Sequence, residues 1–203
     1  IPVPGMNLDI VDDNGNSVRE KNGYLIIKSP WPAMTRGLLN DNDRYIKTYW
    51  SKFENTWFHG DYVLADEDGL WYMRGRTDDV INVSGHRMST AEIEHTVISH
   101  KKISDAASIS IPDELTGEAI VVFFVADKQN NINFESEITD HISTKIGKIA
   151  KPKYIFQLSD LPKTRTGKIM RRLLKSKLLG MELGDLSSLE NPGVLDEIDK
   201  FKV

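Results

Sequence analysis

Two charged segments contain the residues whose types and spacing could do chemistry. Residues 75–87 read Gly-Arg-Thr-Asp-Asp-Val-Ile-Asn-Val-Ser-Gly-His-Arg, with two arginines, two adjacent aspartates and two glycines. Residues 163–177 hold seven Lys and Arg side chains and no acidic residue. Basic side chains bind phosphates and carboxylates, and glycines let the backbone approach a ligand closely. The sequence therefore predicts an anionic ligand, although each segment taken alone could be a solvated loop.

Composition limits the class of protein. The 203 residues are 39% hydrophobic and 28% charged, which is typical of one globular domain or two small ones. There is no cysteine, so disulfides, zinc-thiolate sites and thiol nucleophiles are excluded, and a cytoplasmic location is expected. The longest apolar run, residues 119–126, is far shorter than the roughly 20 residues of a membrane span. The net charge of −4 argues against a nucleic-acid partner.

The elements before Arg76 are predicted to be β structure. Residues 8–11 and 23–28 have strand patterns, and residues 29–51 are interpreted as a surface excursion. Residues 57–64 and 70–73 flank an Asp-Gly turn, which predicts a β-hairpin.

After residue 87 the pattern changes to mixed helix and strand. Ser89 and Glu92 have the spacing of a capping box at the start of a helix. Apolar residues at every fourth position predict a second helix, from Phe134 to Ile146. The remaining predicted elements are strands at 106–111, 118–126 and 154–158 and a helix at 169–178. A β-rich part thus precedes a small α+β unit, with a boundary near Asp78.

The charged segments resemble those of the adenylate-forming ligases, in particular the AMP-forming acyl-CoA and acetyl-CoA synthetases. The similarity extends along nearly the whole chain. Its specific parts, in order, are residues 60–61, 66–69, 75–87, 91–94, 161–172 and 184–194.

The resemblance implies a fold class and a domain organisation. It implies an α+β protein in which a β-rich remnant of the large N-terminal domain precedes the small C-terminal α+β domain. Residues 1–77 would be the β subdomain, residues 78–180 the mobile domain with its hinge at Asp78, and residues 181–203 an acidic tail. The family's phosphate loop and acyl pocket have no counterpart in these residues, so the fragment alone is expected to be inactive.

The resemblance also implies a reaction in two halves. Acetate and ATP form acetyl-AMP and pyrophosphate, and coenzyme A then displaces AMP to give acetyl-CoA. The implied small molecules are acetate, ATP, coenzyme A and Mg²⁺. Lys168 matches the family's adenylation lysine, whose charge would lie between two anions. A lysine acetyltransferase and a deacetylase acting on Lys168 are implied as partners.

Three further residues match nucleotide-binding positions of the family. Asp61 matches the carboxylate that accepts hydrogen bonds from the ribose, although a turn aspartate after Gly60 is the alternative. Arg76 and Arg87 match arginines near the ribose and phosphates. Arg87 could instead pair locally with Glu92 or Glu94.

The coenzyme A contacts are implied in the same segment. Ser84 and Gly85 match positions at the pantetheine arm, where glycine would allow close approach of the backbone. Asp78 matches the hinge that rotates the small domain between the two half-reactions. His86 is interpreted as structural.

Two other sites depart from the family pattern or leave little trace in sequence. The family's basic residue for the 3′-phosphate of coenzyme A aligns with Ser143, so the contact is lost, moved, or taken by Lys145. Some members bind a cation through main-chain oxygens that match Ile98, His100 and Ile103.

Two alternatives to an acetyl-CoA synthetase stay open, and a third is excluded by the residues present. A propionyl-CoA, medium-chain or peptide-synthetase adenylation enzyme would share the scaffold. A non-catalytic module could bind anions through residues 163–177, although it lacks interleaved aromatic residues for stacking. A P-loop kinase is excluded, because the required glycine six residues before Lys168 is Pro162.

Overall fold

The computed structural model describes residues 2–126, 134–201 and 203. The chain divides into two compact units, Ile1–Asp78 and Asp79–Val203. The α+β fold class predicted from the sequence is confirmed. The assignment of the units to a large-domain remnant and a mobile domain, with a separate tail, stays a prediction. No helix in the described ranges is long and apolar enough to cross a membrane.

The first unit is built on a four-stranded antiparallel sheet in the order β1-β2-β3-β4. The strands are β1 (Leu8–Val11), β2 (Asn22–Ile27), β3 (Trp57–Ala65) and β4 (Trp71–Arg76). Alternating apolar side chains of these strands, among them Ile10, Leu25 and Val63, pack into one cluster. The short Asp-Gly connection makes β3 and β4 neighbours, and this places Asp61 and Arg76 opposite each other.

The expected surface excursion at residues 29–51 is wrong in one respect, because it contains helix α1 (Asn42–Tyr49). Asp41 precedes the helix, and its side chain accepts a hydrogen bond from the amide of Arg44. Tyr45 is buried against Trp57 of β3. A helix with one buried side chain on a polar surface has too weak an apolar stripe to be detected by periodicity.

The second unit is a five-stranded sheet with helices on both faces. Strands β5 (Val80–Val83), β6 (His86–Ser89), β7 (Ile103–Asp113) and β8 (Gly117–Ala126) are antiparallel, and β9 (Tyr154–Gln157) is parallel to β8. The helices are α2 (Thr90–Ile98), α3 (Phe134–Lys145), α4 (Arg171–Leu178) and α5 (Val194–Ile198).

The central strand β8 explains the long apolar run of the sequence. Ile120, Val122 and Phe124 face the cluster formed with α2 and α3. Val121 and Phe123 face the opposite cluster, formed with α4 and α5. Because successive side chains of a strand point to opposite faces, a strand covered on both faces is apolar at nearly every position.

Two details of the second unit differ from the sequence expectations. Ser89 directly precedes α2, but its side chain makes no capping hydrogen bond, so the predicted capping box is not formed. The acidic residues 181–203 include α5, whose Leu195 and Ile198 are buried with Leu173 of α4. Acidic composition on the exposed face hides this short buried helix in the sequence.

A partly buried ion pair links α4 to the rest of the second unit. Arg171 donates through Nε and Nη2 to the two carboxylate oxygens of Glu94, at 2.7 and 2.6 Å. Glu94 also accepts from the amide of Ser108 in β7. Arg171 Nη1 lies 3.6 Å from Asp79 Oδ2. The hydrogen bonds to Glu94 outweigh the effect of burial and raise the pKa of Arg171.

We expect Arg171→Met to destabilise the protein by about 3–5 kcal/mol, because the carboxylate of Glu94 would stay buried without its cation. The side chain of Glu94 is only 9% exposed. The control is Arg165→Met, because Arg165 and Glu190 are 81% and 62% exposed and form a 3.6 Å pair. Removing that pair should cost less than about 1 kcal/mol. Urea unfolding measures both changes, and equal losses would contradict the assignment.

Candidate functional site

In the first unit, the structure brings three of the predicted site residues together. Asp61 of β3 is opposite Arg76 of β4, with Arg76 Nη1 3.5 Å from Asp61 Oδ1. Arg76 Nε donates to Asp78 Oδ1 at 3.1 Å. A register shift at Tyr62 and Val63 interrupts the regular pairing directly after Asp61. The result is a partly exposed carboxylate beside an arginine fork, an arrangement with both acceptors and donors for a polar ligand.

Two neighbours of Asp61 explain how this arrangement is held. Gly60 has a φ of +88°, and an ideal Cβ there would lie 2.7–2.9 Å from the Arg76 guanidinium. His59 Nδ1 lies 2.7 Å from Asp61 Oδ2, and the His59 carbonyl accepts from Arg76 Nη1. Sequence analysis missed His59. Its only signal is its position two residues before Asp61 in an alternating strand, which puts both side chains on one face.

In the second unit, the predicted coenzyme A contacts lie at the tip of a β-hairpin. Residues 80–89, which overlap the charged segment 75–87, form β5 and β6. Ser84 and Gly85 connect them with φ values of 50° and 83°, the sign pattern of a tight hairpin turn. The amide of Ser84 donates to the Thr116 carbonyl at 2.8 Å, which holds the tip. Arg87 follows on β6, paired with Asn82, and its side chain is exposed.

Lys168 lies on a different loop of the second unit, residues 164–168, which we call the lysine loop. The amide of Thr164 donates to the Lys168 carbonyl at 2.9 Å, and the Lys168 amide donates to Thr164 Oγ1 at 3.1 Å. Gly167 has a φ of +82° and donates to the Thr164 carbonyl. The loop therefore has a defined backbone from which the exposed Lys168 side chain projects.

Most cations of the basic segment 163–177 have ion-pair or hydrogen-bond partners within the fold. Lys163 binds Asp105 at 2.8 Å and Asp160 at 3.0 Å, and these contacts raise its pKa. The other partnered cations are Arg165 with Glu190, Arg171 with Glu94, Arg172 with main-chain carbonyls, Lys175 with Ser110 and Lys177 with Asp199. Among the residues that the structure describes, none pairs with the ammonium group of Lys168. Four of the seven cations are thus paired with carboxylates, and two donate to neutral oxygens.

The remaining predicted sites lie at the C-terminal end of α2. The His100 carbonyl accepts from the amide of Ile103, which leaves one lone pair on that oxygen. Lys145 Nζ donates to Ser99 Oγ at 3.2 Å. In the described parts of the chain, no group of three or more His, Asp or Glu side chains could hold a metal ion. Cation binding by the main-chain oxygens of Ile98, His100 and Ile103 stays a prediction.

Comparisons with known proteins found similarity along nearly the whole chain. Residues 92–168 match the family model of the AMP-binding enzyme C-terminal domain. Acetyl-coenzyme A synthetase of Pyrobaculum arsenaticum is 45% identical over 98% of the chain, and that of Methanothrix thermoacetophila is 42% identical over 97%. The chain covers 30% and 31% of these two relatives, or about a third of their length.

Solved structures show the same fold. The acetoacetyl-CoA synthetase from Streptomyces lividans superposes with a TM-score of 0.87 over 98% of this chain and 31% of its own, at 24% identity. The anthranilate CoA ligase AuaEII, solved with anthranoyl-AMP, gives a TM-score of 0.74 at 30% identity, over 86% of this chain and 33% of its own. Residues 92–168 are therefore similar to the C-terminal domain of the AMP-binding enzymes, and nearly the whole chain is similar in sequence to part of the acetyl-coenzyme A synthetases.

Proposed function

We propose that the protein carrying this chain is an AMP-forming acetate–CoA ligase. It would convert acetate, ATP and coenzyme A into acetyl-CoA, AMP and pyrophosphate through acetyl-AMP. The observation that carries the proposal is the 42–45% identity to acetyl-coenzyme A synthetases over 97–98% of the chain. The 203 residues alone are expected to be inactive, because they span about a third of such an enzyme.

Lys168 is the proposed catalytic residue of the adenylation half-reaction. Attack of a carboxylate on the α-phosphate brings two anions together, so the barrier falls when a cation lies between them. An ammonium group on a long stem suits this position. The exposure of Lys168, and its lack of an ionic partner in the described residues, support this role, because the charge is available to substrate.

Asp61, Arg76 and Arg87 are the proposed nucleotide contacts. The Asp61 carboxylate would accept from the two ribose hydroxyls, and its position beside Arg76 would bring a cation near the phosphates. Arg87 is exposed on the hairpin that carries Ser84 and Gly85. ATP would enter as its Mg²⁺ complex, which supplies charge neutralisation of the phosphates.

Ser84 and Gly85 are the proposed coenzyme A contacts, with Lys145 as the candidate for the 3′-phosphate. An ideal Cβ at Gly85 meets no described atom within 4 Å, so the tip leaves space for the pantetheine arm.

Asp78 is the proposed hinge, and the division between the two compact units directly after it supports this. Ile98 ends helix α2, where main-chain carbonyls attract cations, so the oxygens of Ile98, His100 and Ile103 are the proposed ligands of a hard cation.

Regulation by acetylation follows from the same charge. An acetyl group on Lys168 would remove the positive charge that adenylation needs. The exposed lysine loop is accessible to a lysine acetyltransferase and a deacetylase, which we propose as partners in the cytoplasm.

A non-catalytic anion-binding module is less well supported, because six of the seven cations in residues 163–177 have partners within the described structure.

In the complete enzyme, we expect Lys168→Ala to lower acetate-dependent ATP–pyrophosphate exchange by about 10²–10³-fold, the scale of losing one preorganised electrostatic contact. Thioester formation from supplied acetyl-AMP should persist. Lys151→Ala, which removes an exposed lysine elsewhere on the second unit, is the control. Undiminished exchange in Lys168→Ala would refute the catalytic role.

Gly85→Leu should have the opposite effect on the two half-reactions. A bulky side chain at the hairpin tip would block the pantetheine arm, so acetyl-AMP should still form while thioester formation stalls. Gly69→Leu is the matched control, since Gly69 also has positive φ and open space around its ideal Cβ. Equal loss of both half-reactions in Gly85→Leu would contradict the assignment.

Gly60→Ala should weaken nucleotide binding. The new methyl group would displace the Arg76 guanidinium, and we expect about a tenfold rise in the KM for ATP, the scale of one charge-assisted hydrogen bond. Gly69→Ala introduces the same positive-φ strain without a neighbouring atom. If steady-state kinetics give both variants the same KM for ATP, Arg76 is not a nucleotide contact.

A further inference from the structure

A segment near the C-terminus runs beside the lysine loop and is fixed to the second unit at both ends. We call this segment, residues 183–191, the brace. At its start, Arg172 of α4 donates to the carbonyls of Leu183 and Asp185. Towards its end, Leu189 forms a β-bridge with Thr164, and the Glu190 amide donates to the Lys163 carbonyl at 2.9 Å.

The side chain of Asn191 completes the attachment. Its Oδ1 accepts from the Lys163 amide at 3.0 Å. Its Nδ2 donates to the Leu161 carbonyl at 2.8 Å and to Asp160 Oδ2 at 2.9 Å. The partly buried side-chain amide of Asn191 thus binds Asp160, Leu161 and Lys163, which lead into the lysine loop.

These contacts reach Lys168 through Thr164. The main chain of Thr164 follows directly after Lys163, and Thr164 exchanges hydrogen bonds with both the amide and the carbonyl of Lys168. A shift of residues 161–163 would therefore move the point from which the Lys168 side chain projects. The side chain itself has no ionic partner in the described residues that could correct such a shift.

We propose that Asn191 is a positioning residue for Lys168. The proposal rests on the adenylation role given to Lys168 above. A catalytic charge must be positioned accurately relative to the substrate, since a misplacement of about 1 Å can lower the rate roughly 10²-fold. Asn191 holds the base of the loop, and the long lysine stem spans the remaining distance to the substrate.

The test measures both half-reactions of the complete enzyme. Asn191→Ala should lower acetate-dependent pyrophosphate exchange about tenfold, a partial misplacement on the same scale, and leave thioester formation from supplied acetyl-AMP unchanged. Asn191→Asp keeps the acceptor for the Lys163 amide but loses both donors and faces Asp160, so it should be at least as impaired. It also serves as the second variant if Asn191→Ala does not fold. Ser188→Ala, an exposed position within the brace, is the control.

A double-mutant comparison separates positioning from general destabilisation. In a Lys168→Ala background, Asn191→Ala should cause no further loss of exchange, because the group that it positions is gone. The proposal is overturned if Asn191→Ala lowers both half-reactions equally, leaves exchange unchanged, or lowers it by the same factor with and without Lys168. A Lys168→Ala enzyme with normal exchange would instead refute the proposed function.

Discussion

The bidentate ion pair between Arg171 and Glu94 is the interaction on which the second unit depends most. It joins the first turn of α4 to α2, and Glu94 extends the connection to β7 through the amide of Ser108. Arg171 also lies near Asp79, the residue directly after the boundary between the units. Because Arg171 is three residues beyond Lys168, the same pair fixes the C-terminal end of the lysine loop.

Pairing of charge within the fold determines what the basic segment can do. A run of seven cations in an acidic protein could bind any polyanion if the cations were free. The fold instead uses six of them to attach α4, the brace and residues 160–163 to the rest of the unit. Charge that is paired with a carboxylate contributes little to long-range attraction, and four of these cations are paired in this way.

Sequence patterns predicted the elements that are long or strongly periodic. The eight-residue apolar run became β8, and the four-residue spacing from Phe134 became α3. The hairpin at residues 80–89 was missed because its strands are four residues long and its polar residues suggested a loop. Helix α5 was missed because five residues in an acidic context carry almost no periodic signal.

The residues of the candidate site also differ in how far a sequence pattern can identify them. Lys168, Asp61 and Gly85 came from motif resemblance, and the structure places each on a defined turn or strand. His59 and Asn191 could not be found in this way, because their importance lies in contacts with residues that are themselves singled out. Asn191 is 28 residues from Lys163, and no local pattern predicts a hydrogen bond over that separation.

The lysine loop combines a fixed base with a side chain that has no ionic partner in the described residues, and this combination would suit the adenylation role proposed for Lys168. If the loop backbone were loosely held, adenylation would carry the entropy cost of ordering it in every cycle. If the ammonium group were held by a carboxylate, that pair would have to be broken before substrate could bind. The structure satisfies both requirements with separate groups: main-chain and Asn191 hydrogen bonds fix the loop, and the carboxylates of Asp160 and Glu190 are bound to Lys163 and Arg165.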